Sequence, residues 1–97
     1  MEVRFGNQQL RRCFERSATA TRRWGPDVGR RYIQRIQALY AAERFADLFT
    51  IRAFRLHPLG GDREGQYALT LVGRWRIIVR PERDLIVVEE VTNHYGD

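Results

Sequence analysis

The chain contains no lysine, and all 17 of its basic residues are arginine. It has one cysteine and two histidines, so an internal disulfide is excluded and no metal-ligand cluster of usable spacing exists; no metal or cofactor is expected. Cys13 follows the apolar side of a helical repeat and reads as a packing residue. No apolar run approaches the roughly 18 residues that a membrane helix needs, and nothing like a signal peptide precedes Glu2 and Arg4. The cytoplasm is therefore the expected location, with no membrane partner. Repeats, low-complexity tracts and linkers are also missing. At 97 residues and 43% hydrophobic content, the sequence describes one domain, residues 1–97, with a single small core.

What the chain has in abundance is positive charge, a formal +5. An arginine fork matches phosphate oxygens bidentately, so such a surface suits nucleic acid better than a lipid headgroup layer. A genome-wide preference for arginine codons would explain the missing lysines but not the positive balance.

In order along the chain, Glu2-Val-Arg-Phe alternates as a short strand with Val3 and Phe5 inward. Asn7 is placed to cap a helix running to about Trp24, with Leu10, Cys13, Phe14 and Ser17 at helical spacing and Arg11, Arg12 and Arg16 outward. Gly25-Pro26 ends that helix and starts another, since proline is tolerated at the first helical position. In it Val28, Tyr32, Ile36, Leu39 and Tyr40 form the apolar stripe, and Arg30, Arg31 and Arg35 line the polar side. Residues 43 to 51 either add a short helix or close the bottom of the core. Phe54-Arg-Leu-His predicts a short strand, Tyr67-Ala-Leu-Thr-Leu-Val and Arg74 to Arg80 predict a hairpin around Gly73, and Pro81 fits the second position of a type I turn. Leu85 to Val91, apolar on both sides at its start, predicts an interior strand. The order β-α-α-β-β-β gives an α+β fold, an antiparallel-rich sheet with a helical hairpin packed on one face.

The other face is left for chemistry. Gly60, Gly61 and Gly65 punctuate a polar loop carrying His57, Arg63 and Gln66. Alternation in the following strand sets Arg74, Arg76, Ile78 and Arg80 against Trp75, Ile77 and Val79, which predicts one apolar and one cationic face. A solvated edge would show the same alternation; a histidine loop beside it is what a phosphodiester substrate needs. Metal-independent RNA cleavage proceeds by 2′-OH attack on the adjacent phosphorus, with a base, an acid and cations for the phosphorane charge. His57 and His94 titrate near neutrality and suit either proton role. Arg76 and Arg63 would stabilise charge, and Tyr95 would stack on a base or deliver a proton. A histidine bonded to backbone before Pro58, and a solvated tail histidine, are the plainer readings of the same two residues.

The order His57-Pro-Leu-x-Gly-Asp-Arg-x-Gly-Gln-Tyr67, then Gly73-x-Trp-Arg-Ile77, then Glu89-Glu-Val91, resembles the RelE superfamily of toxins from bacterial toxin-antitoxin modules, nearest its HigB branch. The resemblance covers nearly the whole chain. It implies an endoribonuclease that enters the ribosomal A site, cuts mRNA, and is silenced by a cognate antitoxin, a small helix-turn-helix DNA-binding protein. It implies a catalytic role for His57 and Arg76, which match the family pattern. Two positions depart from it. The residue between Leu59 and Gly61 is usually a catalytic lysine and here is Gly60, which passes the role to Arg63, to Arg55 or to nobody. The Asp-Tyr-His of some relatives falls on Asn93-His94-Tyr95. With Arg55, Arg74 and Arg80 added to the six helix arginines, the cationic surface would grip mRNA and rRNA phosphates. Alternatives are a catalytically weak or inactive member that binds RNA, the ribosome or an antitoxin, and a gyrase inhibitor of the ParE branch.

Overall fold

In the computed structural model, residues 1–94 are described. Strand β1 (Glu2–Phe5) leads into helices α1 (Gln8–Glu15), α2 (Ser17–Trp24) and α3 (Pro26–Ala41). Two 3₁₀ turns, Phe45–Thr50 and Arg52–Phe54, connect to β2 (His57–Pro58); a third, Gly61–Arg63, precedes β3 (Tyr67–Thr70), β4 (Arg76–Glu82) and β5 (Leu85–Thr92). The five strands form one sheet in the order β1-β5-β4-β3-β2, antiparallel except where β1 runs parallel to β5.

The expected layer arrangement holds, with local corrections. The first helix is two helices. Asn7 does cap it, its side chain accepting from the Leu10 amide at 2.9 Å, but Arg16 takes an extended conformation (φ −133°, ψ 111°) that ends α1 and starts α2. The break leaves Leu10, Cys13, Ala20 and Trp24 in helical phase, so periodicity does not reveal it. It redirects α2 onto α3, where Ala20 meets Gly29 so closely that a β-carbon on Gly29 would sit 3.0 Å from the Ala20 carbonyl carbon.

The core between helices and sheet takes Leu10, Cys13, Val28, Tyr32, Ile36 and Leu39 from the helices and Val3, Leu69, Ile77, Val79, Ile86 and Val88 from the strands. Cys13 is fully buried, as its pattern predicts. The Tyr32 hydroxyl donates to the Leu10 carbonyl at 2.9 Å, tying α3 to α1. Tyr40, expected in the stripe, is largely exposed.

Phe54 belongs to a 3₁₀ turn rather than a strand, because Arg55 takes a left-handed conformation (φ 46°) that interrupts the extended chain; the strand starts only at His57. Pro81 lies inside β4, opposite Ile86, and the turn is made by Arg83 and Asp84 instead. Pairing of β4 with β3 stops at Val79, so the missing N–H of Pro81 costs no ladder hydrogen bond on that side.

Candidate functional site

Cross-strand partners share a face of a sheet, so the register identifies what the open face carries. One row is His57, Ala68, Ile78 and Glu90; the next is Thr70, Arg76 and Thr92. Leu59, Ala68 and Ile78 form a small apolar floor at the centre. From strand spacings, His57 and Arg76 are about 12 Å apart at their α-carbons. His94 follows β5, its amide donating to the Thr92 hydroxyl at 3.1 Å, and so lies at the Arg76 end of the face. The two histidines approach from the β2 side and the β5 side. Tyr95 lies outside the described residues.

The His57 ring Nδ1 stands 2.8 Å from the Arg55 carbonyl oxygen. A carbonyl only accepts, so Nδ1 carries the proton and Nε2 is the basic nitrogen of the neutral ring. Here the left-handed Arg55 has a use, since it turns its carbonyl toward the imidazole.

Arg76 is on the open side of its strand but is not the solvated cation that alternation predicts. It is 6% exposed, and its Nη1 donates to the carbonyls of Gly73 (2.7 Å) and Trp75 (3.0 Å). The guanidinium thus braces the β3–β4 turn. Arg35, expected among the outward helix arginines, is also buried. Its Nε donates to the Thr70 carbonyl at 3.0 Å and its guanidinium lies 4.6 Å from the Phe54 ring centre. Burial, and then neighbouring Arg31, lowers its pKa, though a guanidinium keeps its proton. Arg35 pins α3 to the sheet and is unavailable to RNA.

The remaining arginines divide. Arg11, Arg12, Arg16, Arg30, Arg55 and Arg74 are exposed and Arg31 is half-buried, with Arg30 near Asp27 at 3.7 Å. Arg22 and Arg23, exposed on α2, extend the same basic surface, and only the arginine-rich composition pointed to them. Arg63 and Arg80 face carboxylates. Arg63 Nη2 donates to Glu90 at 2.5 Å and its Nε to the Gln66 amide oxygen at 2.8 Å. Gln66 donates in turn to Glu89 at 2.8 Å, and Arg80 Nε donates to the same Glu89 oxygen at 3.2 Å.

Two adjacent glutamates reach one face because β5 is irregular. Ile78 pairs with Glu90 and Val79 with Val88, which leaves Glu89 as the extra residue of a bulge. The sequence carries the signal, because the inward residues Ile86 and Val88 are two apart whereas Val91 follows after three. The cationic face is therefore partly neutralised where the loop crosses it.

Gly60 and Gly61 have different roles. Gly61 is left-handed (φ 62°), whereas Gly60 is extended (φ −109°) with nothing within 4 Å of an added β-carbon. The backbone at position 60 accepts any L-residue.

No family model matches the sequence. The endoribonuclease HigB of Proteus vulgaris is 36% identical over 73 residues, spanning 75% of this chain and 76% of that protein. A YoeB/ParE toxin from Agrobacterium tumefaciens superposes with a TM-score of 0.66 at 15% identity, covering 98% of this chain and all of the other. YafQ from Escherichia coli strain BL21(DE3) gives 0.64 at 12% identity, over 96% of this chain and 92% of its own. The YoeB–YefM complex from Staphylococcus aureus gives 0.64 at 14% identity, over 98% of both chains. At such identities the structural likenesses speak for the fold, while the HigB match reaches the family itself. The chain belongs to the RelE/ParE superfamily of toxins, close to its HigB branch.

Proposed function

We propose that this protein is the toxin of a toxin-antitoxin module and a ribosome-dependent mRNA endonuclease, acting in the cytoplasm. The observation that carries the reading is the open face itself, where a histidine with its Nδ1 held by a carbonyl lies one row from Arg76, in a chain similar to a protein named as an endoribonuclease. In the proposed step His57 Nε2 takes the proton of the 2′-OH, whose oxygen attacks the adjacent phosphorus. The bond to the 5′ oxygen breaks, and that oxygen takes a proton from His94 or Tyr95, leaving a 2′,3′-cyclic phosphate and a 5′-hydroxyl. Arg76 stabilises the phosphorane by turning its guanidinium from the Gly73 and Trp75 carbonyls toward the phosphate oxygens. The exposed arginines of α1, α2 and α3, with Arg55 and Arg74, hold rRNA and mRNA phosphates.

The partner is a cognate antitoxin, a small helix-turn-helix protein with an acidic or amphipathic segment that covers the basic surface. The Staphylococcus aureus neighbour, a complex of YoeB with YefM, supports a protein partner. A second reading, a catalytically weak RNA- or ribosome-binding member, draws on Gly60 and on the inward-turned Arg76. Primer extension on mRNA from cells expressing the protein decides between them. Discrete cuts within translated codons that vanish when translation is blocked are the expected result; intact mRNA at verified expression would leave the binder, and intact mRNA with inhibited gyrase supercoiling would point to the ParE branch.

A further inference from the structure

Among the described residues, the backbone hydrogen bonds between Leu59 and Gln66 tie the loop only to itself. Leu59 N donates to Gln66 O, Arg63 N to Gly60 O, Glu64 N to Gly61 O and Gln66 N to Arg63 O. The adjoining strand β2 is two residues long and pairs only with β3. What reaches across β3 and β4 to the centre of the sheet is side-chain chemistry: Arg63 to Glu90, Gln66 to Glu89, and Arg80 beside them on Glu89. Gly65 (φ 89°) lets the Arg80 guanidinium lie directly under the loop, since a β-carbon there would be 2.7 Å from Arg80 Nη1.

We propose that Arg63, Glu89 and Glu90 are positioning residues, a clamp that fixes the loop at residues 60–66, and with it His57, relative to Arg76. The inference rests on the endonuclease reading. It gives Arg63 a task other than touching phosphate, and it gives the bulge a purpose, because a regular β5 would turn one of its two carboxylates to the helix side. These ion pairs are about one-third to two-fifths exposed at the Arg63–Glu90 contact, so they contribute little to global stability. They are suited instead to holding a loop whose backbone, among the described residues, bonds only within itself, and displacement of a reacting group by about 1 Å costs roughly a hundredfold in rate.

The test is a set of variants in the full chain, Glu90→Gln, Glu89→Gln, Arg63→Glu, and the exchange Arg63→Glu with Glu90→Arg. Two readouts are taken: single-turnover cleavage on programmed ribosomes, and amide hydrogen exchange at residues 60–66 in the isolated protein. Glu90→Gln is expected to lower the cleavage rate roughly 10- to 100-fold with ribosome affinity changed far less, and to speed exchange in the loop. The charge exchange is expected to recover at least about tenfold of the rate lost in Arg63→Glu. Wild-type cleavage and loop exchange in Glu90→Gln would overturn the clamp. So would an exchanged pair with a restored loop but no recovered rate, which would make Arg63 a phosphate ligand, and so would tighter ribosome binding at unchanged rate, which would make Glu90 a mere repeller of phosphate. If the wild-type protein does not cleave, the endonuclease reading fails by itself, and loop exchange alone decides the clamp.

Discussion

On the helix-covered face of the sheet, Leu69, Ile77, Val79, Ile86 and Val88 are sealed against Tyr32, Ile36 and Leu39, and side chains are held by close packing. On the open face, among the described residues, Leu59, Ala68 and Ile78 form a small apolar cluster, and Arg63, Gln66, Arg80, Glu89 and Glu90 beside it are held by hydrogen bonds and ion pairs. The first arrangement resists any loss of volume. The second resists loss of a particular donor or acceptor and tolerates changes of bulk. One sheet thus separates what keeps the chain folded from what is available to a ligand, and substitutions on its two sides should fail in different assays.

The sharpest break of this division is Ile36→Ala. Ile36 is fully buried between α3 and the sheet, and truncation should cost about 2–5 kcal/mol of unfolding free energy, read from denaturant titration. Cleavage by the fraction still folded should be unchanged. A variant that kept its stability would show that the helical layer is loosely packed. Next comes Arg76→Lys, which retains charge but loses the fork. It should lower single-turnover cleavage by roughly two to three orders of magnitude, about 3–4 kcal/mol in the barrier. Arg76 also braces two carbonyls, so unlike a surface arginine it should lower the thermal transition as well; a cleavage loss with no thermal shift would contradict that brace.

A smaller effect tests the helical side by pH. Burial, with Cys13 and Tyr40 nearby, pushes the Tyr32 phenol pKa upward. The unfolded chain gives up this proton above about pH 10 while the folded chain retains it, so the stabilisation is complete below that pH and is lost progressively above it, as pH rises toward the raised folded pKa. Cys13, raised chiefly by its burial, acts in the same direction from a slightly lower pH. Tyr32→Phe should therefore flatten the alkaline loss of stability while costing about 0.5–1.5 kcal/mol at neutral pH for the bond to Leu10. An unchanged alkaline profile would locate the sensitivity elsewhere. The smallest expected change in stability, within about 0.5 kcal/mol, is for Gly60→Lys, because position 60 is extended and open. Its effect should appear in cleavage, as a higher rate, and a fall in stability beyond that margin would mean the loop needs glycine after all.

The layers, the strand order of the hairpins and the core stripes of α1 and α3 were legible because apolar spacing reports which side of an element is covered. Whether a polar residue on the correct side is exposed is a tertiary matter. Arg35 and Arg76 both occupy positions that alternation or helical period assigns to the polar side, yet each is covered and bonded to carbonyls of neighbouring segments. Pro81 misled because a proline in a strand is acceptable wherever the neighbouring strand has already stopped, and strand overhang leaves no local trace. The break at Arg16 was hidden by an unbroken phase. The bulge was visible in the spacing of Val88 and Val91, and with it the two adjacent glutamates that reach the open face.

The parallel pairing of β1 with β5 has a consequence for how the protein is made. Glu2 to Phe5 hydrogen-bond with Leu85 to Val88, and Arg76 meets Thr92 at the far end of the same strand. A growing chain can form its helices early, but its first strand must wait, unpaired, until β5 has left the synthesising machinery. Contacts so distant along the chain are slow to close. The local β2–β3–β4 hairpins set His57 and Arg76 in register, but Glu90 and Thr92 complete their two rows only when β5 pairs, so a nascent or truncated chain lacking β5 has an unfinished face with which to act.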